Sequence, residues 1–191
     1  MEYLKSEFYS RIQENPIIAA VNDLSKLDKA IESPCEIIFL LQGSIINLEH
    51  VVHKVKSSGK MVFVHLDLMD GLSRDVFALK YIHEKIKPDG IISTKPNLIR
   101  AAKDMHIFTI KRLFILDSLS LQSGMNTVNN VRPDALEILP GVMNKITKRL
   151  RKQLNVPIIT GGLICDKEDV IESLKAGAMA VSTSNEQVWY M

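Results

Sequence analysis

Residues 156–191 read VPIITGGLICDKEDVIESLKAGAMAVSTSNEQVWYM, in which two short apolar runs flank a segment with helical spacing. The first run stops at Gly161 and Gly162, and the second stops at Ser182, Thr183 and Ser184. Apolar runs that are continuous rather than alternating are typical of strands buried on both faces, as in parallel sheets. This stretch therefore predicts a strand, a helix and a second strand parallel to the first.

The same pattern of apolar runs recurs along the rest of the chain. Six further runs precede these two, at residues 17–21, 36–41, 61–66, 90–94, 112–117 and 135–139. Most of the segments between the runs place apolar residues at intervals of three or four, as amphipathic helices do. Alternating strands and helices leave two architectures, a doubly wound sheet or a (β/α)8 barrel. Eight units, and the lack of a GxGxxG motif after the first run, favour the barrel.

The chain is short for this fold, with 191 residues where such barrels usually have about 250. We therefore predict one α/β domain over residues 1–191, a compact (β/α)8 TIM-type barrel with short or missing helices and an extra N-terminal helix. Segment 119–131 is poor in helix-forming residues, so we expect no regular helix there. The chain ends soon after the eighth run, which predicts a stub for the eighth helix. The N-terminal helix is a candidate to fill that gap.

The composition is that of a globular protein, with 46% hydrophobic and 24% charged residues. A net charge of +2, from 24 basic and 22 acidic residues, is too balanced to indicate a nucleic-acid binder by itself. The two cysteines lack CxxC or zinc spacing, which favours free thiols in a reducing cytosol. No apolar run approaches the roughly 20 residues of a membrane span, and the acidic N-terminus is unlike a signal peptide. We predict a cytoplasmic protein with no membrane partner.

Small and polar residues follow the predicted strands. The carboxyl ends of barrel strands meet at one face, where loops seven and eight commonly hold a phosphate with backbone N–H groups and a helix N-terminus. Glycines let the backbone approach an anion, hydroxyls add donors, and the short last helix would point its positive end to the same place. The alternative is a tight turn followed by a helix cap. The predicted phosphate site comprises Gly161, Gly162, Ser182, Thr183 and Ser184.

Charged residues at other strand ends complete the predicted ligand site. The carboxylates would accept hydrogen bonds from the hydroxyls of a small polyol, and the lysine would meet phosphate or hydroxyl oxygens. The alternatives are buried ion pairs with Lys95 or Arg112, and a solvated surface lysine. His65 is either a core or a functional histidine. No cluster has metal-ligand spacing, so we predict no metal, although His65 with Asp67 and Asp70 leaves a Mg²⁺ site open. The predicted polyol-binding residues are Asp67, Lys95, Asp117 and Glu137.

Five stretches carry a resemblance to a known family. They are VFVHLDLMDGLSRD, DGIISTKPNLIRAAK, FTIKRLFILDSLSL, ALEILPGVM and the two last runs with the segment between them. In this order they resemble the glycerol-3-phosphate-responsive antiterminators, which regulate glycerol uptake operons in Gram-positive and related bacteria. The similarity extends over essentially the whole chain.

The resemblance implies a small non-catalytic barrel that binds glycerol 3-phosphate as an effector and uses no cofactor. The liganded protein would then act on the leader of its target mRNA and let transcription pass a terminator. The phosphate and polyol residues predicted above suit this ligand, since it has one phosphate and two hydroxyls.

The best candidate for an RNA-binding element is the basic segment NKITKRLRKQ, which would form the sixth crossover helix. Clustered cations can engage RNA phosphates, although the outer helices of barrels are often charged. A homo-oligomer would concentrate such basic faces. The cations are Lys145, Lys148, Arg149, Arg151 and Lys152.

Two other functions remain open from the sequence. The chain could be a phosphosugar or phosphotriose aldolase or isomerase that uses Lys95 with Asp67 or Glu137. Its predicted loops are short for a lid that closes over a reactive intermediate, which favours a sensor. It could also be a phosphate-binding scaffold that acts through protein partners alone.

Overall fold

Eight parallel strands close into a barrel in the computed structural model, which describes residues 2–191. Each strand pairs with its sequence neighbours, and β1 pairs with β8. The predicted fold class is therefore confirmed. The strands are β1 (Ile17–Val21), β2 (Ile37–Leu40), β3 (Met61–His65), β4 (Gly90–Ser93), β5 (Phe108–Phe114), β6 (Ala135–Leu139), β7 (Ile158–Gly161) and β8 (Ala180–Thr183).

A helix precedes β1, and at least one helix follows every strand. Two of the helices have only six residues, and the last has four, which agrees with the predicted short or missing helices. Among residues 2–191, none of the helices has the length and hydropathy needed to cross a bilayer. The helices are α1 (Glu2–Glu14), α2 (Leu27–Glu32), α3 (Leu48–Ser57), α4 (Val76–Tyr81), α5 (Pro96–Asp104), α6 (Ser118–Val131), α7 (Asn144–Gln153), α8 (Lys167–Lys175) and α9 (Glu186–Trp189).

Helix α6 corrects the expectation for segment 119–131. Its start is fixed by a capping box, in which the Asp117 carboxylate accepts from the Ser120 N–H while the Ser120 hydroxyl accepts from the Asp117 N–H. Its buried face includes Leu121, Met125 and Val128, which share helical spacing. Tertiary packing of this face outweighs the weak helix propensity of the serines, asparagines and threonine between them.

The N-terminal helix closes the amino end of the barrel and does not take the place of the eighth helix. Phe8 of α1 is fully buried, and its ring centroid lies 5.4 Å from that of Phe63 and 4.8 Å from that of Phe108. Helix α9 occupies the eighth position, where the buried Trp189 indole N–H donates to the Thr183 carbonyl at 2.7 Å. Without α1, the amino end of the barrel would expose the rings of Phe63 and Phe108 to water. Helix α1 therefore covers apolar surface at this end of the barrel.

The barrel interior changes character from one end to the other. Inward-facing side chains near the amino end form one apolar cluster, which includes Phe39, Phe63 and Phe108. The next inward positions of these strands, two residues after Phe63 on β3, Ile110 on β5 and Ala135 on β6, hold His65, Arg112 and Glu137. The barrel interior is therefore hydrophobic in its amino half and polar in its carboxyl half.

The packing of Phe8 against the barrel interior yields a prediction about stability. Replacing Phe8 by Ala should lower the free energy of unfolding by about 3–5 kcal/mol, because it leaves a cavity in a closely packed aromatic cluster. Urea denaturation would measure this change. The matched control is Tyr3→Ala on the same helix, where the side chain is 78% exposed and a change within about 0.5 kcal/mol is expected. Equal effects of the two substitutions would contradict the role of α1 as a plug.

Candidate functional site

A cavity of about 380 Å³ opens at the carboxyl end of the barrel. A larger groove, of about 510 Å³, lies at the other end between the C-terminal parts of α6 and α7. We assign the functional site to the smaller cavity, because binding sites of such barrels lie at the carboxyl ends of the strands and because charged groups are buried there. Its lining includes Asn22, Arg112, Glu137, Gly162, Ser182 and Ser184.

A chain of hydrogen bonds between three strands forms the floor of this cavity. The Arg112 Nε on β5 donates to Glu137 Oε2 on β6 at 2.6 Å, and the Ser182 hydroxyl on β8 donates to Glu137 Oε1 at 2.6 Å. The Arg112 and Glu137 side chains are only 7% and 1% exposed. Of the alternatives that the sequence left open for Glu137, the ion pair with Arg112 is present.

Gly161 makes this series of hydrogen bonds possible, because it lies on β7 between Glu137 and Ser182. A Cβ at Gly161 would stand 3.0 Å from Glu137 Oε1 and would collide with the Ser182 hydroxyl. The lack of a side chain here therefore lets the Glu137–Ser182 hydrogen bond cross the barrel. This is a different reason for glycine than the close approach of an anion, on which its prediction as a phosphate residue rested.

The loops after β7 and β8 present free N–H groups at the rim. Among residues 2–191, no hydrogen-bond acceptor lies at the backbone N–H groups of Gly162, Leu163 or Ser184. Gly162 has a φ of +73° and Leu163 of +61°, which is left-handed backbone, and both residues line the cavity. Ser184 is exposed on the same cavity. These donors are available to an anion.

The other hydroxyls of the predicted phosphate site are occupied within the protein. The Ser182 hydroxyl belongs to the floor, and the Thr183 hydroxyl donates to the Ile164 carbonyl at 2.9 Å. Helix α9 is a single turn in which Asn185 caps the Gln187 N–H, and Glu186 stands in its first turn. The expected positive helix end is therefore already capped and balanced by an acid.

Three of the four predicted polyol residues lie outside the lining of the cavity. Asp67 accepts hydrogen bonds from Ser93 and twice from Thr94, at 2.6–2.9 Å. Burial alone would raise the pKa of Asp67, but the hydrogen bonds from Thr94 and Ser93 hold it below its ordinary value. Lys95 and Asp117 are the residues at the starts of α5 and α6. Only Glu137 reaches the cavity, and it belongs to the ion pair.

The sequence analysis considered Arg112 only as a partner for a carboxylate. In the structure, both basic residues of β5, Lys111 and Arg112, are buried and hydrogen-bonded. Lys111 donates to the carbonyls of Thr94 at 2.8 Å and Arg112 at 2.7 Å, and burial lowers its pKa to about 8. Arg112 lines the cavity itself. Two adjacent cations inside the otherwise apolar strand FTIKRLF are the signal that could have identified them.

His65 is the second group whose importance the sequence left undecided. It follows Met61 and Phe63 at alternate positions of β3, so it shares their inward face. Its side chain is buried, and its Nδ1 has no hydrogen-bond partner among the described residues. Burial and then the charge of Arg112 lower the pKa of His65 to about 4, so the imidazole is neutral at neutral pH.

The structure also locates the other residues that sequence analysis singled out. The five cations of α7 are all exposed, and within residues 2–191 none of them forms an ion pair. Both cysteines are free thiols, Cys35 buried and Cys165 exposed. In the described part of the chain, no three His, Cys, Asp or Glu side chains are arranged to hold a metal ion.

Comparison with known proteins identifies the family of this chain. Residues 17–189 match the family described as "Glycerol-3-phosphate responsive antiterminator". The crystal structure of the glycerol uptake operon antiterminator regulatory protein from Listeria monocytogenes strain 4b F2365 superposes with a TM-score of 0.89. Its identity is 35%, over 92% of this chain and 95% of that one.

Two further proteins show the same relationship. An antiterminator-related protein from Thermotoga maritima MSB8 has a TM-score of 0.82 and 33% identity, over 92% of this chain and 98% of that one. The Escherichia coli K12 protein named "Uncharacterized protein YgcP" is 40% identical over 93% of both chains. A family match over nearly the whole barrel, together with relatives of this similarity, leads to one conclusion: the chain belongs to the glycerol-3-phosphate responsive antiterminator family.

Proposed function

We propose that this protein is a cytoplasmic sensor of glycerol 3-phosphate that, once liganded, acts on the leader mRNA of glycerol-utilisation genes and promotes antitermination. The observation that carries the proposal is the cavity at the carboxyl end of the barrel, with free N–H groups at its rim and a buried polar floor. Membership of a family described as glycerol-3-phosphate responsive supports the choice of effector.

The rim supports a phosphate site. The N–H groups of Gly162, Leu163 and Ser184 surround the same opening, and the Ser184 hydroxyl adds a further donor. Backbone N–H groups without partners attract anions because they carry partial positive charge. The phosphate would therefore bind at the rim, and the carbon chain would extend toward the floor. A volume of about 380 Å³ suits a small ligand.

The residues that an enzyme would need are not placed together, which supports a protein that binds its ligand without converting it. An aldolase or isomerase was expected to combine Lys95 with Asp67 or Glu137. Lys95 and Asp67 lie outside the cavity, and the carboxylate of Asp67 is held by Ser93 and Thr94. Both Glu137 oxygens already accept hydrogen bonds. These groups do not converge on one reacting atom, which supports a binding function.

The basic helix α7 supports binding of RNA. Lys145, Lys148, Arg149 and Lys152 have helical spacing of three, four and seven residues, which places them in one stripe on the solvent side. Arg151 lies outside this stripe, and its aliphatic chain packs beside Gly177, 3.0 Å from where a Cβ would stand. Four unpaired cations in a row can neutralise neighbouring phosphates of a strand.

Calorimetric titration with glycerol 3-phosphate tests the sensor. We expect saturable binding, much weaker binding of glycerol and of inorganic phosphate alone, and recovery of the ligand unchanged. Absence of binding would refute the proposed effector. Consumption of the ligand would instead favour the enzyme.

The phosphate position is tested by Ser184→Asp, with Ser184→Asn as the matched control. Both side chains have nearly the same size, but only Asp adds a negative charge beside the bound phosphate. We expect Asp to weaken glycerol 3-phosphate binding at least about tenfold, or about 1.4 kcal/mol, and Asn to leave it nearly unchanged. Equal affinities of the two variants would exclude the rim as the phosphate site.

The RNA surface is tested by Arg149→Glu combined with Lys152→Glu. With the leader transcript of a glycerol-utilisation operon as the probe, we expect weaker binding and a shallower dependence on salt. The slope of log affinity against log salt should fall by about 0.7 for each phosphate of single-stranded RNA that the variant no longer neutralises. Filter binding at several salt concentrations would measure it.

The control for this experiment is Lys80→Glu combined with Lys85→Glu. It makes the same change in net charge at exposed cations near α4, away from α7. If both double variants bind RNA alike, α7 is not the RNA-binding surface.

A further inference from the structure

We infer that the Arg112–Glu137 ion pair is the subsite that recognises the hydroxyls of the ligand, and that its zero net charge selects a phosphorylated polyol over a phosphorylated carboxylic acid. The inference rests on the proposed function, since it assumes that the phosphate binds at the rim. It assigns polyol recognition to Arg112 together with Glu137, in place of Asp67, Lys95 and Asp117.

Arg112 has hydrogen-bonding capacity to spare. A guanidinium group carries five N–H donors, and in Arg112 only Nε has a partner among the described residues. The residue is 6% exposed, and the surface that remains accessible faces the cavity. The two Nη groups are not among the fully buried atoms that lack a partner, so they are open to the cavity and available to a ligand oxygen.

Glu137 supplies the complementary acceptors. Each of its oxygens accepts one hydrogen bond, whereas a carboxylate has about four acceptor positions. A hydroxyl group at the floor could therefore accept from an Arg112 Nη and donate to Glu137. A carboxylate could only accept, and it would be repelled by Glu137. The ion pair thus matches a group that is both donor and acceptor and has no charge.

His65 lies on the inward face of β3, but its side chain is only 2% exposed and does not line the cavity. Its Nδ1 is buried, yet it has no hydrogen-bond partner among the described residues, which is rare for a buried polar atom. A neutral imidazole nitrogen can form one hydrogen bond with a hydroxyl, as donor or as acceptor. Only a ligand group that reaches below the cavity lining could give this atom its missing partner, so the assignment of the floor rests on Arg112 and Glu137.

The test compares two three-carbon phosphate esters by calorimetry. One is glycerol 3-phosphate, and the other is 3-phosphoglycerate, in which a carboxylate replaces the terminal CH₂OH group. The wild-type protein should prefer glycerol 3-phosphate at least about tenfold. Glu137→Gln keeps the shape of the side chain but leaves Arg112 with an unbalanced charge, so it should shift the ratio of affinities at least about tenfold toward the acid.

Asp117→Asn is the matched control, because it also converts a carboxylate to an amide. Asp117 is exposed at the start of α6, outside the cavity, and Asn is an equally good helix cap. Its ratio of affinities should equal that of the wild type. A change of the same size in this variant would mean that long-range charge, and not the floor, determines the selectivity.

A second variant keeps the inference testable if Glu137→Gln does not fold. Arg112→Lys keeps the positive charge opposite Glu137 but removes the free guanidinium donors, so it should weaken glycerol 3-phosphate binding at least about fivefold and leave the binding of inorganic phosphate unchanged. Unaltered binding of glycerol 3-phosphate, or an unaltered ratio in Glu137→Gln, would overturn the assignment of the floor while the proposed function stands. If the wild-type protein bound neither ester, the proposed function itself would fail.

Discussion

The buried ion pair between Arg112 and Glu137 is the constraint on which the rest of the site depends. Removing two charges from water is costly, and such a pair persists only where geometry and additional hydrogen bonds compensate. Here the Ser182 hydroxyl supplies one such bond, and Gly161 leaves room for it. These hydrogen bonds join strands β5, β6 and β8 across the barrel mouth. The polar side chains buried at the carboxyl end therefore hold one another in place.

A polar mouth also requires a hydrophobic base, which the short chain builds from few residues. The aromatic side chains of β2, β3 and β5 fill the amino half of the interior, and Phe8 of the N-terminal helix packs against two of them. At the other end, the rim is built from two short loops whose free N–H groups come from the backbone. The rim, the polar floor and the aromatic base with Phe8 are therefore stacked along the barrel axis. All three form only when the eight parallel strands close into a barrel.

The sequence analysis succeeded where the information is local. Continuous apolar runs indicate strands that are buried on both faces, and eight of them with intervening helices are confirmed as a barrel. Local information misled for α6, because weak helix formers obscured the buried stripe of Leu121, Met125 and Val128. It also grouped Asp67, Lys95 and Asp117 with Glu137, since all of them follow or end strands. Their hydrogen bonds instead cap helices or fasten loops.

The amino-acid sequence by itself determined the fold class, the face of the barrel that carries the polar groups, and the basic character of α7. These follow from hydrophobic periodicity and from the rule that parallel strands bring their carboxyl ends together. Only the tertiary structure decided which polar side chains meet. Partners such as Arg112, Glu137 and Ser182 are separated by 25 and 45 residues along the chain. Whether a side chain faces the barrel axis or the helices depends on register and closure, which no local pattern encodes.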